Sequence, residues 1–242
     1  MRKILLLLLA VPGFALASSN VSLDKAPLNV NDKESLQRGA RVFVNYCLNC
    51  HSASYMRYNR LQDIGLTEKQ IKDNLLFASD KPGETMYTAM RAKEAKNWFG
   101  VTPPDLTVIS RSRGSDWVYS YLRSFYRDPS RPTGWNNLIY ANAAMPHALH
   151  DQQGEMVPVT HTEKTAEGHD HVVIDRLELA KPGKLTQAEY DSEVGDLVNY
   201  LAWMAEPAQT ARKSVGLAVI LFLGLFYIVA FYLKREYWKD VH

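Results

Sequence analysis

The chain has 242 residues, is 46% hydrophobic and 22% charged, and carries a formal net charge of +2. A charge so near neutral gives no reason to expect nucleic acid as a partner, and the length suits one domain with a sizeable core. Two cysteines make up the whole thiol inventory.

The first residues read as an export signal over 1–17. Arg2-Lys3 is a basic start, Ile4 to Leu9 is apolar, and Ala15-Leu16-Ala17 is a small-residue cleavage site before Ser18. The apolar run is short and broken by Pro12-Gly13, which argues against a membrane anchor there. Removing Arg2 and Lys3 leaves the mature chain near zero charge. The remaining charge is uneven: Ser18 to His150 has 17 basic and 12 acidic residues, whereas Asp151 to Ala211 has 4 and 12. An acidic lobe of this kind can steer a basic soluble partner, or be an ordinary solvated face.

Asp32 can cap a helix running through Tyr46, with Leu36, Ala40, Phe43 and Cys47 at helical spacing. Gly39 weakens that helix but permits a second helix to cross closely. The helix leads into Cys47-Leu48-Asn49-Cys50-His51, the C-x-x-C-H pattern of covalent haem attachment. Each thiol can add to a haem vinyl group, and the following His supplies an axial nitrogen to iron. A zinc site would need further ligands at suitable spacing, and a thioredoxin-like pair would follow a strand in a βαβ unit. A bare disulfide is the remaining alternative.

Thr67 and Gln70 are spaced as a capping box for a helix through about Phe77, and Asp80 to Gly83 is a turn. Met86 and Met90 read as helical packing residues. Lys96 to Thr107 reads as an extended, aromatic-rich loop, because Pro103-Pro104 forbids helix. Such a loop suits a rigid apolar haem wall. Ser115 caps a helix from Asp116 to Tyr126, whose Trp117, Tyr121 and Phe125 form an aromatic stripe best read as core.

A sixth iron ligand is sought in Asn136 to His147. Met145 precedes a proline in a stiff loop that can present a thioether. His147 and His150 are nearby, so residue chemistry alone leaves Met145 and His147 as candidates. Met156 to Leu179 alternates as a small β-hairpin around a polar tip bearing His161, His169 and His171. Those histidines fit no established metal spacing. Thr186 and Glu189 make a capping box for a long helix that Pro207 ends or bends. Val215 to Leu233 is uncharged and long enough to span a bilayer, with Tyr227, Tyr232, Tyr237 and Trp238 as aromatic anchors. The organisation expected is 1–17 export signal, 18–211 periplasmic haem domain, 212–234 membrane anchor and 235–242 cytoplasmic tail.

Taken together, these segments resemble the cytochrome c1 subunit of respiratory complex III, the quinol:cytochrome c oxidoreductase. Pro103-Pro104-Asp105-Leu106-Thr107 with Arg111 and Arg113 is similar to that family's proline-aspartate-leucine loop. Asp116 to Leu122 is similar to its next helix, and Ala144-Met145-Pro146 to its axial methionine segment. Asp196 to Pro207 with Arg212-Lys213 and Lys234-Arg235 is similar to its closing helix and anchor. The resemblance covers essentially all the mature chain.

It implies a mainly α, cytochrome c-like haem domain with a small β-hairpin insertion and one C-terminal transmembrane helix. It further implies one covalent haem c with His51 and Met145 as axial ligands, Pro104 as a haem contact and Arg113 on a haem propionate. Where many members have a second propionate-binding tyrosine, this chain has Trp117. The implied role is electron transfer from the Rieske iron–sulfur subunit to a soluble or anchored periplasmic cytochrome c. Quinol oxidation would occur in a cytochrome b subunit, within a dimeric complex of the bacterial inner membrane. Two alternatives differ in class: a stand-alone anchored cytochrome c feeding an oxidase, and a haem enzyme or gas sensor with an open sixth position.

Overall fold

The computed structural model describes residues 22–164 and 169–240. The expected export signal, the Ser18 start, residues 165–168 of the hairpin and the last two residues lie outside the described residues.

Helix α1 spans Lys33–Val42, and the Asp32 carboxylate caps it by accepting from Ser35 N at 3.0 Å. The chain then continues as a π-helix over Phe43–Cys47, a wider turn than the regular helix expected through Tyr46. Strand β1 (Ala53–Arg57) and a 3₁₀ segment (Tyr58–Ile64) follow. Helix α2 (Glu68–Asn74) carries the complete Thr67/Gln70 capping box and stops three residues before Phe77.

Met86 is not helical. It lies in strand β2 (Thr85–Met86), which pairs antiparallel with β1, and Met90 sits in a bend. Cross-chain bonds hold this segment extended: Thr88 N donates to Ser52 Oγ at 3.1 Å, and Thr88 Oγ1 donates to Asn49 O at 2.7 Å. The expected Lys96–Thr107 loop also begins later than read. Helix α3 covers Ala92–Phe99, favoured by its Ala, Lys and Glu content, and Gly100 at φ +77° ends it in the left-handed region. Only the chain beyond Gly100 is extended.

A short α4 (Ile109–Ser112) precedes α5 (Ser115–Arg123). Gly114, not Ser115, occupies the cap position of α5. The helix ends before Phe125 because the Ser124 hydroxyl donates back to Ser120 O at 2.7 Å and the chain enters a two-stranded pairing. There β3 (Phe125–Arg127) lies antiparallel to β4 (Trp135–Asn137). After α6 (His150–Gln153) come the long strands β5 (Gly154–Lys164) and β6 (Asp170–Pro182). They form the expected hairpin, extended at both ends.

Helix α7 (Gln187–Ala205) starts from the Thr186/Glu189 capping box and stops at Glu206-Pro207. Helix α8 (Gln209–Tyr237) has an apolar surface exposed along its length. At 1.5 Å per residue its 29 residues reach about 43 Å, more than the ~30 Å hydrocarbon thickness of a bilayer. It is the one helix among the described residues long and apolar enough to cross a membrane.

The core sits where α1 crosses α7. Gly39 is the contact point: a Cβ there would lie 2.1 Å from the Asp196 carbonyl oxygen and 2.7 Å from Tyr200 Cβ. Leu36, Ala40 and Phe43 bury their side chains against Leu197, Tyr200 and Leu201. Arg38 clamps Asp196 through two bonds of 2.5 and 3.0 Å. Asn199, fully buried, accepts from Asn29 N and donates to Asn29 O and Ser35 Oγ. Helix α5 joins from the other side, where Tyr190 OH donates to Leu122 O at 2.8 Å and Arg123 forks onto Asp191.

Four acidic residues of the second half are paired with arginines of the first. Asp191 and Asp196 pair with Arg123 and Arg38, Glu155 with Arg127, and Glu206 with Arg111 and Arg212.

Gly39→Ala forces α1 and α7 apart at a backbone contact that no rotamer can relieve. It should lower stability by about 2–3 kcal/mol, read as a fall in the denaturation midpoint of the detergent-solubilised chain. An unchanged midpoint would show that the crossing is not tight.

Candidate functional site

The π-helical turn delivers the C-x-x-C-H motif. The Cys47 carbonyl accepts from both Cys50 N (3.1 Å) and His51 N (2.8 Å), so the motif folds around that oxygen. Asn49 Nδ2 ties the turn back to Asn45 O at 2.9 Å. No disulfide joins the two cysteines. Burial, followed by the neighbouring Cys50, pushes the Cys47 thiol up to about 12. The turn follows a helix and its π-helical end, not a strand, which is not the context of a thioredoxin-like pair.

His51 is buried, and its Nδ1 lies 2.8 Å from the Pro104 carbonyl oxygen. A carbonyl can only accept, so Nδ1 carries the proton and the neutral ring keeps its lone pair on Nε2. Burial lowers the imidazole pKa against the opposing pull of Pro104 O and Asp105, which favours that neutral form. Among the described residues Nε2 has no hydrogen-bond partner. An oriented, neutral imidazole with a free Nε2 is the requirement for an axial metal ligand.

The Pro104 loop is stitched to the strand that follows the motif. Leu106 N donates to Ser52 O at 2.8 Å. The Asp105 carboxylate accepts from Ser54 N (2.8 Å), Thr107 N (2.8 Å) and Thr107 Oγ1 (2.5 Å). Burial raises the Asp105 pKa, but these bonds outweigh it and hold the carboxyl below its usual range.

Met145 lies outside regular structure, half-buried against the core, with its Sδ 3.5 Å from Tyr121 OH. Tyr121 stacks on Trp117 with centroids 4.9 Å apart and planes 9° apart. The Arg113 guanidinium sits 5.3 Å from the Trp117 ring centroid. Arg113 is exposed and forms no ion pair among the described residues, unlike Arg111, which bonds Glu206 at 3.1 Å. The structure therefore groups His51 with Pro104, and links Arg113, Trp117, Tyr121 and Met145 in series. Trp117, Tyr121 and Met145 pack against the core that also takes Cys47, Leu106 and Ile109. No hydrogen bond joins His51 to Met145.

His147 is otherwise engaged. It is buried between Phe125 (stacked, 4.8 Å) and the edge of Trp135, with Nε2 2.7 Å from Gln153 Oε1. That hydrogen bond fixes its proton on Nε2, and burial pushes its pKa down to about 4. On the hairpin, His161 holds Glu163 (2.9 Å) and Asp175 (2.7 Å) with its two ring nitrogens.

Sequence reading did not identify Asn136, Asn137 or the role of Tyr121. Asn137 Oδ1 accepts from Ile139 N and Tyr140 N, and its Nδ2 donates to Tyr121 O at 2.8 Å. Asn136 Oδ1 accepts from Asn142 N at 2.7 Å. Two adjacent asparagines ahead of a loop were a usable signal, because Asn side chains capture backbone N–H groups.

The two cysteines in this turn and the oriented His51 fit a covalently attached haem. The described residues hold no cluster of three or more His, Cys, Asp or Glu side chains able to bind a metal ion on their own.

Comparison with known proteins points the same way. Residues 24–241 match the model of the Cytochrome C1 family. The chain is 48% identical to a protein of Nitrosomonas europaea named ammonia monooxygenase gamma subunit, over 100% of this chain and 99% of that one. It is 46% identical to cytochrome c1 of Allochromatium vinosum over the full length of both. With cytochrome c1 of Rhodospirillum rubrum it shares 30% identity, over 87% of this chain and 83% of the other.

Asp105→Ala leaves the N–H groups of Ser54 and Thr107 without their partner and should lower stability by about 1–3 kcal/mol at neutral pH. The folded pKa of Asp105 is depressed, so its contribution is complete above the unfolded value of 3.8 and disappears as pH falls through the folded one. Denaturation curves of wild type and variant should converge in acid. A gap that stays constant from neutral pH down to about pH 3 would contradict this assignment.

Proposed function

The chain belongs to the cytochrome c1 family, and on that premise we propose that it carries one covalent haem c and relays electrons from a Rieske iron–sulfur subunit to a periplasmic cytochrome c. Members of the family bind haem c and form the haem electron-transfer subunit of the cytochrome bc1 complex. When bound, the haem supplies the one-electron couple.

The chain's own residues divide the remaining work. Cys47 and Cys50 hold the cofactor through thioethers. Pro104 O orients His51 so that Nε2 is the proximal ligand. Met145 supplies the sixth ligand; the enclosure of the His147 ring between Phe125 and Trp135 supports that choice over the histidine. A soft thioether favours ferrous iron and raises the potential, which suits an acceptor of electrons from quinol. Two protein ligands would leave no open position for dioxygen. Arg113, exposed and propped on Trp117 rather than ion-paired, is available to a propionate; Trp117 can add at most one N–H donor. The observation that carries the reading is the bond from His51 Nδ1 to the Pro104 carbonyl in a C-x-x-C-H turn.

The arrangement in the membrane follows the same reading. Residues 1–17 direct export, 18–211 form the haem domain on the periplasmic side, 212–234 cross the inner membrane and 235–242 lie in the cytoplasm. The partners are cytochrome b and the Rieske subunit in a dimeric complex. The name of the Nitrosomonas relative supports a second reading, in which the same haem domain serves an ammonia monooxygenase.

Two experiments test the proposal. The reduced wild-type protein should ignore carbon monoxide, whereas Met145→Ala should bind it and show a lower midpoint potential; carbon monoxide binding by wild type would contradict six-coordination. Affinity purification of the full chain from mild detergent should recover cytochrome b and the Rieske subunit. Recovery of the chain alone, or with monooxygenase subunits instead, would overturn the assignment to a quinol oxidoreductase.

A further inference from the structure

The Tyr121 side chain ends in a hydroxyl 3.5 Å from the Met145 sulfur, a hydrogen-bonding distance for so large an acceptor atom. Its ring is held on two sides, stacked on Trp117 and meeting Phe125 edge-on at 4.9 Å and 69°. Its backbone and the methionine loop are tied together by one residue. Asn137 donates to the Tyr121 carbonyl and accepts from the N–H groups of Ile139 and Tyr140. Asn142, three residues before Met145, is anchored separately by Asn136 and by Arg131, which bonds its side chain at 3.0 Å and its carbonyl at 3.2 Å. The hydroxyl and the sulfur thus share one rigid frame. Filling the aromatic stripe needs only the ring of Tyr121, and a phenylalanine would supply that.

We propose that Tyr121 is a positioning residue that donates a hydrogen bond to the Met145 thioether and so sets how strongly that sulfur donates to the haem iron. The inference rests on Met145 being the sixth ligand. A thioether sulfur has two lone pairs, of which one binds iron and the other can accept the hydroxyl proton. Accepting it withdraws electron density from the sulfur. Ferric iron, the stronger Lewis acid, loses more from a weaker donor than ferrous iron does. The Tyr121 hydroxyl therefore raises the midpoint potential and makes the sulfur easier to displace from the ferric state.

The test compares full-length, haem-loaded wild type with Tyr121→Phe, and with Tyr119→Phe as a control. The Tyr119 hydroxyl points to Asp191 O at 3.4 Å, away from Met145. Three properties are read: the far-red sulfur-to-iron charge-transfer band, the midpoint potential, and the affinity of the ferric protein for imidazole. Tyr121→Phe should keep the band and lower the potential by the equivalent of about a two- to tenfold change in the redox equilibrium constant. It should also bind imidazole more weakly, while Tyr119→Phe changes neither quantity. Loosened packing would also lower the potential, by admitting water, but would let imidazole bind more tightly. A lower potential with tighter imidazole binding, or no change in either quantity, overturns the role of Tyr121. Absence of the band in wild type overturns instead the Met145 ligation on which the inference rests.

Discussion

The bond from His51 Nδ1 to the Pro104 carbonyl is the constraint on which the site depends. It fixes the ring's tautomer, its rotation and its free nitrogen at once. Its rigidity comes from elsewhere. Adjacent prolines restrict the backbone of the 103–104 loop, and the Asp105 carboxylate binds that loop to the strand following the haem motif. A single polar contact of this kind would be unremarkable on a mobile loop. Here it joins two segments that are each over-determined, which is how a preorganised ligand is built.

The core explains why these segments meet. Helix α1 carries the motif at its end, so the angle at which it crosses α7 sets where the cysteines and His51 stand. Gly39 lets that crossing close to backbone contact, and Arg38 and Asn199 lock it with bonds on either side. Helix α5 leans on the opposite flank of α7 and brings Trp117 and Tyr121 toward Met145. One helix thus organises both sides of the site. It also continues, after Glu206-Pro207, into the apolar α8, and Glu206 holds both Arg111 and Arg212 at that junction. The end of α7 is thereby ion-paired to the start of the helix long enough to cross a membrane.

Much of this was legible in the sequence because its signals are local. Capping boxes at Thr67/Gln70 and Thr186/Glu189, the Asp32 cap, the alternation of the hairpin and the stop at Pro207 are decided by neighbouring residues. Gly39 was legible as a close crossing because an interior helical glycine needs a reason. The misreadings share a different cause. Met86 lies in a strand, and Phe125 and Tyr126 leave the helix, because distant segments supply better backbone partners than the local helix would. Lys96 to Phe99 became helix because the prolines act only on their immediate neighbours. The aromatic stripe was read as core, yet its residues Trp117 and Tyr121 reach Arg113 and Met145, a pairing that no sequence spacing encodes.

Electron transfer through this site requires Met145 to lie over the face of a porphyrin opposite His51. Selective ¹³C-methyl labelling of methionine in the reduced, haem-loaded chain tests this directly, because a methyl group above a haem is shifted far upfield by the ring current. One methionine methyl should move far upfield, and it should be the one lost in Met145→Leu. If all methionine methyls resonate at ordinary positions while the haem is covalently attached, Met145 is not the ligand and the proposed electron-transfer site is wrong.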